Sequence, residues 1–301
     1  MLSLRTRFAL VVAALLSFAT SAAFGQTTLA YKFKKGDALK YSLSTEQKQS
    51  AKIAGMDFKT TMTQGMDMTW TVKDVQGGKA DMVQSIDQMR QKMDMPGGQG
   101  FEFDSKKGKK PEGQIGELVG PLFTAMVGAE FTCKMDPQGE TSEAKVSEKL
   151  MEAIKANPAL AQMGPMFSEE GLRNMMQQSA LSLPKEAVSK GKTWNKKVEM
   201  KMPFGVMTID TTYTYQGPET RNNAQLEKID AKSTISLEPA ADAAVALKIK
   251  SSDVKGTMYF DNKAGRLIET SQTQKMVLET SVGGQTFDST QDQTTTLKLV
   301  P

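Results

Sequence analysis

The stretch FKTTMTQGMDMTWTV, from Phe58 to Val72, sets Met62, Gln64, Met66, Met68, Trp70 and Val72 on one parity. Thr61, Thr63, Asp67, Thr69 and Thr71 fall on the other. A period of two is the repeat of a β-strand with one buried and one wet face, so this segment is predicted to be a half-buried strand. The same alternation recurs through YKFKKGDALKYSLSTEQKQ, read as two strands around a Lys35-Gly36-Asp37 turn, and through KADMVQSIDQMRQKMDM beyond Gly77-Gly78. In the latter the apolar parity slips near Asp87, from Met82 and Ile86 to Met89, Met93 and Met95, which predicts a β-bulge.

A second alternating block runs through VMTIDTTYTY, KIDAKSTISL, ALKIKSSDVKGTMYF, LIETSQTQKMVLETSV and QTFDSTQDQTTTLKLV, each bounded by turn residues. Between the blocks the apolar period lengthens. Ile115, Leu118, Val119, Leu122, Phe123, Met126 and Val127 follow helical spacing, with Pro121 expected to break or kink the helix. Val146, Leu150 and Ile154 form a second stripe. Leu172, Met175, Met176 and Ser179 form a third, with Ser168 as N-cap. The hairpin EFTCKMDPQGET interrupts them.

The pattern defines a mainly β fold, an antiparallel meander forming a curved sheet or open barrel with a central helical insertion. Its expected parts are a leader over residues 1–25, a first β-rich half over 26–111, the helical insertion with one hairpin over 112–183, and a second β-rich half over 184–301. Both halves open on a Lys-Gly pair, KKGDALKY and SKGKTWNK, and each later carries a Phe-Asp turn ending in glycine.

The leader is read from two arginines, a short apolar run and the small residues SAAFG, the signature of a secretory signal peptide. Cleavage is expected between Gly25 and Gln26, with a cut after Ala23 as the alternative, giving an exported, periplasmic or extracellular protein with no later segment apolar enough to be a membrane helix. Formal net charge is +4, and loss of Arg5 and Arg7 with the leader lowers it to +2, too small to draw the chain to nucleic acid. The single cysteine, Cys133, leaves no intramolecular disulfide and reads as a small buried strand residue.

Histidine is absent from the sequence. Its lack removes Ser-His-Asp and Cys-His catalysis and the usual zinc sites, and no local pattern singles out a carboxylate pair, so a non-enzymatic protein without cofactor is expected. Lys106, Lys107, Lys109 and Lys110 read as a charged hairpin tip, and the Asp turns lack the alternating oxygen ligands of a calcium loop.

The order YKFKKGDALKY, GAEFTCKMDPQGE, LPKEAVSKGKTW and MYFDNKAGRLIE resembles an uncharacterised family of secreted bacterial β-rich proteins over most of the mature chain. That resemblance implies no activity and carries over no catalytic residue. By architecture alone the chain is similar to periplasmic lipoprotein carriers, whose half-barrels hold acyl chains under helices.

The candidate ligand-binding residues are Met66, Met68, Trp70, Met93 and Met95, a Met-studded face suited to a partner of variable shape such as a lipid. Pairs such as Met66 and Met68 could in principle select Cu(I), but they alternate with Trp70 and Val72 in a general apolar face, so no metal is expected. The function read from these features is binding of an apolar or amphiphilic ligand; the alternative is a structural or protein-interaction module of the cell envelope without a small-molecule ligand. Sequencing of the exported protein is expected to begin at Gln26, and material beginning at Met1 would contradict the leader assignment.

Overall fold

The computed structural model describes residues 25–301 except 54, 109–110, 158–167, 178–179, 203 and 242–244. Residues 1–24 of the expected leader therefore lie outside the described residues. The chain forms strands β1 (Ala38–Ile53), β2 (Met56–Gln76), β3 (Lys79–Asp94) and β4 (Phe101–Asp104), then helix α1 (Gly113–Met126). Strands β5 (Glu130–Met135) and β6 (Thr141–Lys145) precede helices α2 (Glu148–Lys155) and α3 (Glu169–Gln177). The second half is β7 (Thr193–Met202), β8 (Gly205–Arg221), β9 (Ala224–Pro239), β10 (Val245–Asp261), β11 (Arg266–Val282) and β12 (Gln285–Val300).

All strands belong to one 12-stranded sheet in the order β6-β5-β3-β2-β1-β12-β11-β10-β9-β8-β7, with β4 pairing β3. Consecutive strands pair antiparallel except β4 with β5 and β6 with β7, and β12 returns beside β1 to join the two halves. The alternation sets the register: Met62, Met66, Met68 and Trp70 oppose Gln47, Leu43, Tyr41 and Leu39 across β1 and β2. On β3 the register shifts between Asp67 and Met68, opposite Gln88 and Ile86, so the bulge falls at Asp87, where the parity of the sequence slips.

Laid flat, the path from β6 to β7 would span roughly 48 Å at about 4.8 Å per step. Instead, Lys196 Nζ on β7 lies 2.9 Å from Glu140 Oε1 in the turn between β5 and β6. The sheet thus curls until its two edges meet at one end, and α3 touches both edges. At that closed end a single core gathers Trp70, Met82 and Met135 from one wing with Tyr215, Ile229 and Phe260 from the other. The opposite end, at the tips of the β1–β2, β9–β10 and β11–β12 hairpins, is open.

Two segments plug the closed end. YKF was expected to be a strand, but residues 29–33 cross the end as an extended strap whose amides bond to turns: Tyr31 N–H donates to Pro137 O at 2.8 Å and Lys32 N–H to Gly265 O at 3.0 Å. Alternation misled here because a strap between two wings also buries every second residue; Leu29 is fully buried, and Tyr31 meets Phe260 edge-on at 5.2 Å. The second plug is the chain from Ala180 to Val188, bonded through Val188 to Thr27 and through Leu183 N–H to Gln138 O.

Both Lys-Gly pairs make the same turn. Gly36 has φ of 90° and donates to Val72 O at 2.9 Å, and Gly191 has φ of 88° and donates to Tyr215 O at 2.8 Å. The three Asp turns are closed locally, the carboxylates of Asp104, Asp136 and Asp261 accepting from Lys106, Gln138 and Ala264 backbone N–H groups.

Helix α1 packs Phe123 against Phe101 and Phe103 of β4, in a core with Met66, Ile86 and Met89. It therefore covers the β2–β4 wing of the inner face. Pro121, expected to break it, lies inside one helix: its missing N–H costs one bond, while burial of Leu122, Phe123 and Ala125 holds the turn together. Helix α2 buries Leu150 and Ile154 against α1, and Ser168 Oγ caps α3 by accepting from Gly171 N–H at 3.0 Å. The side chains of Met175, Met176 and Ser179 lie outside the described residues.

The closed end depends on Gly139, whose φ is 83° and whose missing Cβ would lie 2.3 Å from Leu181 O. Gly139→Ala is expected to cost more than about 1–2 kcal/mol, from the left-handed backbone and the clash together. Chemical denaturation measures it, and a loss under about 0.5 kcal/mol would show that the plug does not depend on this contact.

Candidate functional site

The inner face is the parity shared by the core residues, and it divides into three zones along the strands. Toward the closed end it is filled by Tyr41, Trp70, Ile229 and Phe260. Across the middle runs a belt of amides and hydroxyls. One rung pairs Gln274, Gln293 and Gln47 in sequence across β11, β12 and β1, and the next pairs Gln272, Thr295, Thr45, Gln64 and Gln91 out to β3. Toward the open end the face turns apolar on β7 to β11, while β12, β1 and β2 stay polar at Ser289, Gln291, Gln49 and Thr60.

That third zone differs between wings. On the β2–β4 side α1 covers Met66, Ile86 and Met89, on the closed-end side of Gln64 and Gln91, and reaches Met93 just beyond them, whereas on the β7–β12 side Val198, Met200, Ile209, Ile235, Leu237 and Ile249 are only half-buried and join none of the three core clusters. Cross-strand pairing groups them in two parts: Val198 opposes Ile209 and Ile209 opposes Ile235 on β7 to β9, and Ile249 opposes Leu278 on β10 and β11, the β9–β10 pairing ending at Ser233 and Val254. The rim on this side carries Val245 and Val282, 38% and 45% exposed, and the rim at the start of β2 carries Met56 and Phe58, 61% and 37% exposed.

Charge is segregated by the same parity. From the belt to the open end the inner positions of β7 to β12 and β1 to β3 carry one charged residue among the described residues, Lys196, which stands at the level of Gln274 and is held by Glu140 of the closed end. Burial pushes the Glu140 carboxyl up, yet the Ser182 hydroxyl and the Lys196 ammonium outweigh it and hold it below the usual range. The outer face bears Lys48, Lys248, Lys275, Glu279, Asp288 and Asp292 among many others. Lys250 bridges Asp288 at 2.9 Å and Glu279 at 3.6 Å there. A β-barrel that spans a membrane turns an apolar band outward; this sheet turns its charges outward and its uncharged face in.

Of the sequence-predicted residues, Met66 is buried beside Met89 under α1, and Met68 touches both large cores. Trp70 is 4% exposed and packs on Tyr41 at 5.0 Å. Met93 opposes Phe101 at the edge of the α1 core, while Met95 is half-buried and extended just before Pro96. The four strand residues share a face but pack as core, and the face left open lies on the other wing. Its residues, Ile209, Ile235, Leu237 and Ile249, carry the same alternation; what the alternation does not encode is which wing the helices cover. Cys133 is buried on β5, and burial raises its thiol to about 11. Among the described residues no cluster of three or more His, Cys, Asp or Glu side chains could hold a metal ion, and no helix is long and apolar enough to cross a membrane.

These features define an open antiparallel half-barrel with one wing under helices and one wing bare. Residues 77–267 match DUF6263, a family of unknown function, and the chain belongs to that family. No curated protein matches the chain. Among solved structures it is similar to lipovitellin, from a structure of its lipid–protein interactions, with TM-score 0.48 and 13% identity over 90% of this chain. The chain spans only 26% of the lipovitellin chain. It is also similar to an exported protein with a YmcC-like fold from Bacteroides fragilis NCTC 9343, with TM-score 0.27 and 8% identity over 91% of this chain and 98% of that one. An outer membrane lipoprotein-sorting protein domain from Vibrio parahaemolyticus gives TM-score 0.14 and 11% identity over 87% of this chain and 83% of that one.

Because Met66 and Met68 fill apolar space, replacing both by leucine nearly conserves volume and is expected to cost less than about 1.5 kcal/mol. Cu(I) titration against a competing chelator should give the same result for wild type and the double variant. Tight binding by wild type that the variant loses would make these methionines a metal site.

Proposed function

We propose that this protein is an exported, non-enzymatic binder of an apolar or amphiphilic ligand, held on the bare inner wing. The observation that carries the reading is the half-exposed patch of Val198, Ile209, Ile235, Leu237 and Ile249, which faces inward yet joins no core cluster. An apolar surface of this kind, concave and contiguous with a rim, is the usual form of a site for an apolar molecule. A sequence without histidine supports a binding role over catalysis, and the apolar and small-residue pattern of residues 1–25 supports export.

A protein-interaction module of the cell envelope is the second reading, and it draws on the exposed rim at Met56, Phe58, Val245 and Val282. Native mass spectrometry of protein purified from its host separates the two. Wild type is expected to carry a small apolar adduct, and Ile235→Lys is expected to lose it while the melting temperature changes by no more than a few degrees. A protein free of adducts that binds no lipid in vitro would favour the interaction module. A collapse of stability in Ile235→Lys would show that the patch is core.

A further inference from the structure

Resting on that reading, we infer that the ligand is an uncharged amphiphile, whose chain lies on the bare wing and whose ester, amide or hydroxyl head is held by the glutamine and threonine belt. The zones lie side by side for such a molecule, since the belt begins on β11, where Met276 and Leu278 continue the apolar face and Leu278 opposes Ile249 of β10. On β11, Gln274 is followed on the same face by Met276 and Leu278, and on β12 Gln293 is preceded by Gln291, Ser289 and Phe287.

The belt contains polar groups without strong partners. Gln274 Nε2 donates to the thioether of Met276 at 2.9 Å, and Gln91 Nε2 donates to that of Met62 at 3.3 Å. Sulfur is a weak acceptor, so both amides would exchange it for a carbonyl or hydroxyl oxygen at a gain. Gln47 and Gln64 add donors and acceptors on the same rungs, Gln293 Nε2 donates to Thr295 Oγ1 at 3.2 Å and keeps its carbonyl oxygen as an acceptor, and each amide can serve a head group in either role.

Charge complementarity decides the class. A carboxylate or phosphate brought onto this face would be desolvated without a counter-ion, because its one charged side chain there, Lys196, already pairs with Glu140 at 2.9 Å. An ammonium would fare no better, the acidic side chains standing on the outer face. A neutral head loses little on leaving water if its hydrogen bonds are remade, and the belt can remake them.

The test compares three probes with the same chain and different heads, 1-lauroylglycerol, laurate and dodecylammonium, by calorimetry on the exported protein at roughly pH 8, where the two ions are charged. Lauroylglycerol is expected to bind at least about tenfold tighter than either ion. Gln47→Ala combined with Gln293→Ala should weaken lauroylglycerol about tenfold and leave laurate unchanged, while Gln293→Lys should reverse the preference toward laurate. Laurate binding as tightly as lauroylglycerol to wild type would overturn the head-group assignment and leave the apolar-ligand reading standing. Loss of all three probes' binding in wild type would overturn both. Belt variants that bind lauroylglycerol like wild type would show that the belt does not touch the head.

Discussion

A sheet with one nearly uncharged face has to hide that face, and the rest of this structure follows from the requirement. The outer parity of the strands carries the Lys, Glu and Asp residues, so water is satisfied on that side and the sheet can only curl the other way. Right-handed twist supplies part of the curvature in any long sheet. What fixes it here is the closed end, where Lys196 and Glu140 bring the first and last edges together and the straps at 29–33 and 180–188 fill the space between the wings. The ion pair itself is half-exposed and worth little in energy. Its value is geometric: Ser182 Oγ also bonds Glu140, and Trp194 Nε1 bonds Ser182 O, so one carboxylate ties three separate segments.

The same constraint explains why the core is uneven. Burial is complete where both wings and a strap converge, as at Leu29, Ile229 and Phe260, and partial where one wing faces open space. The helices that could equalise the two wings lie between β4 and β7 in the chain, and α1 reaches the β2–β4 wing through Phe123. Beyond the helices, the two open wings therefore differ in what they lack, one being finished as core and the other ending as a bare surface with an apolar rim.

Much of this was legible in the sequence. Period-two alternation locates the strands, the slip at Asp87 locates the bulge, and the apolar stripes locate the helices, because each follows from local geometry. The YKF strap was misread since alternation reports burial and not pairing. The Met-studded face reads as a ligand site for a related reason: parity shows that Met66 and Trp70 face inward but not that α1 and the strap lie above them. The belt was also written in the sequence, at Gln272-x-Gln274 and Gln291-x-Gln293, on the parity of Met276 and Leu297. Its meaning needed the pairing of β12 with β1, a contact between opposite ends of the chain that no local pattern encodes.

The composition of the two wings fits their different tasks. The covered wing is rich in methionine, at Met66, Met89 and Met93, where flexible side chains fill the irregular gap beneath a helix that contains Pro121 and Gly116. The bare wing mixes methionines, at Met200, Met202 and Met207, with β-branched residues at Val198, Ile209, Ile235 and Ile249, whose χ1 angles are stiff. A stiff surface keeps its shape when nothing lies on it and loses little side-chain entropy when something does. The open face thus combines stiff β-branched positions around Ile209 and Ile235 with adaptable methionines nearer the ends of β7 and β8, where Met200 opposes Met207.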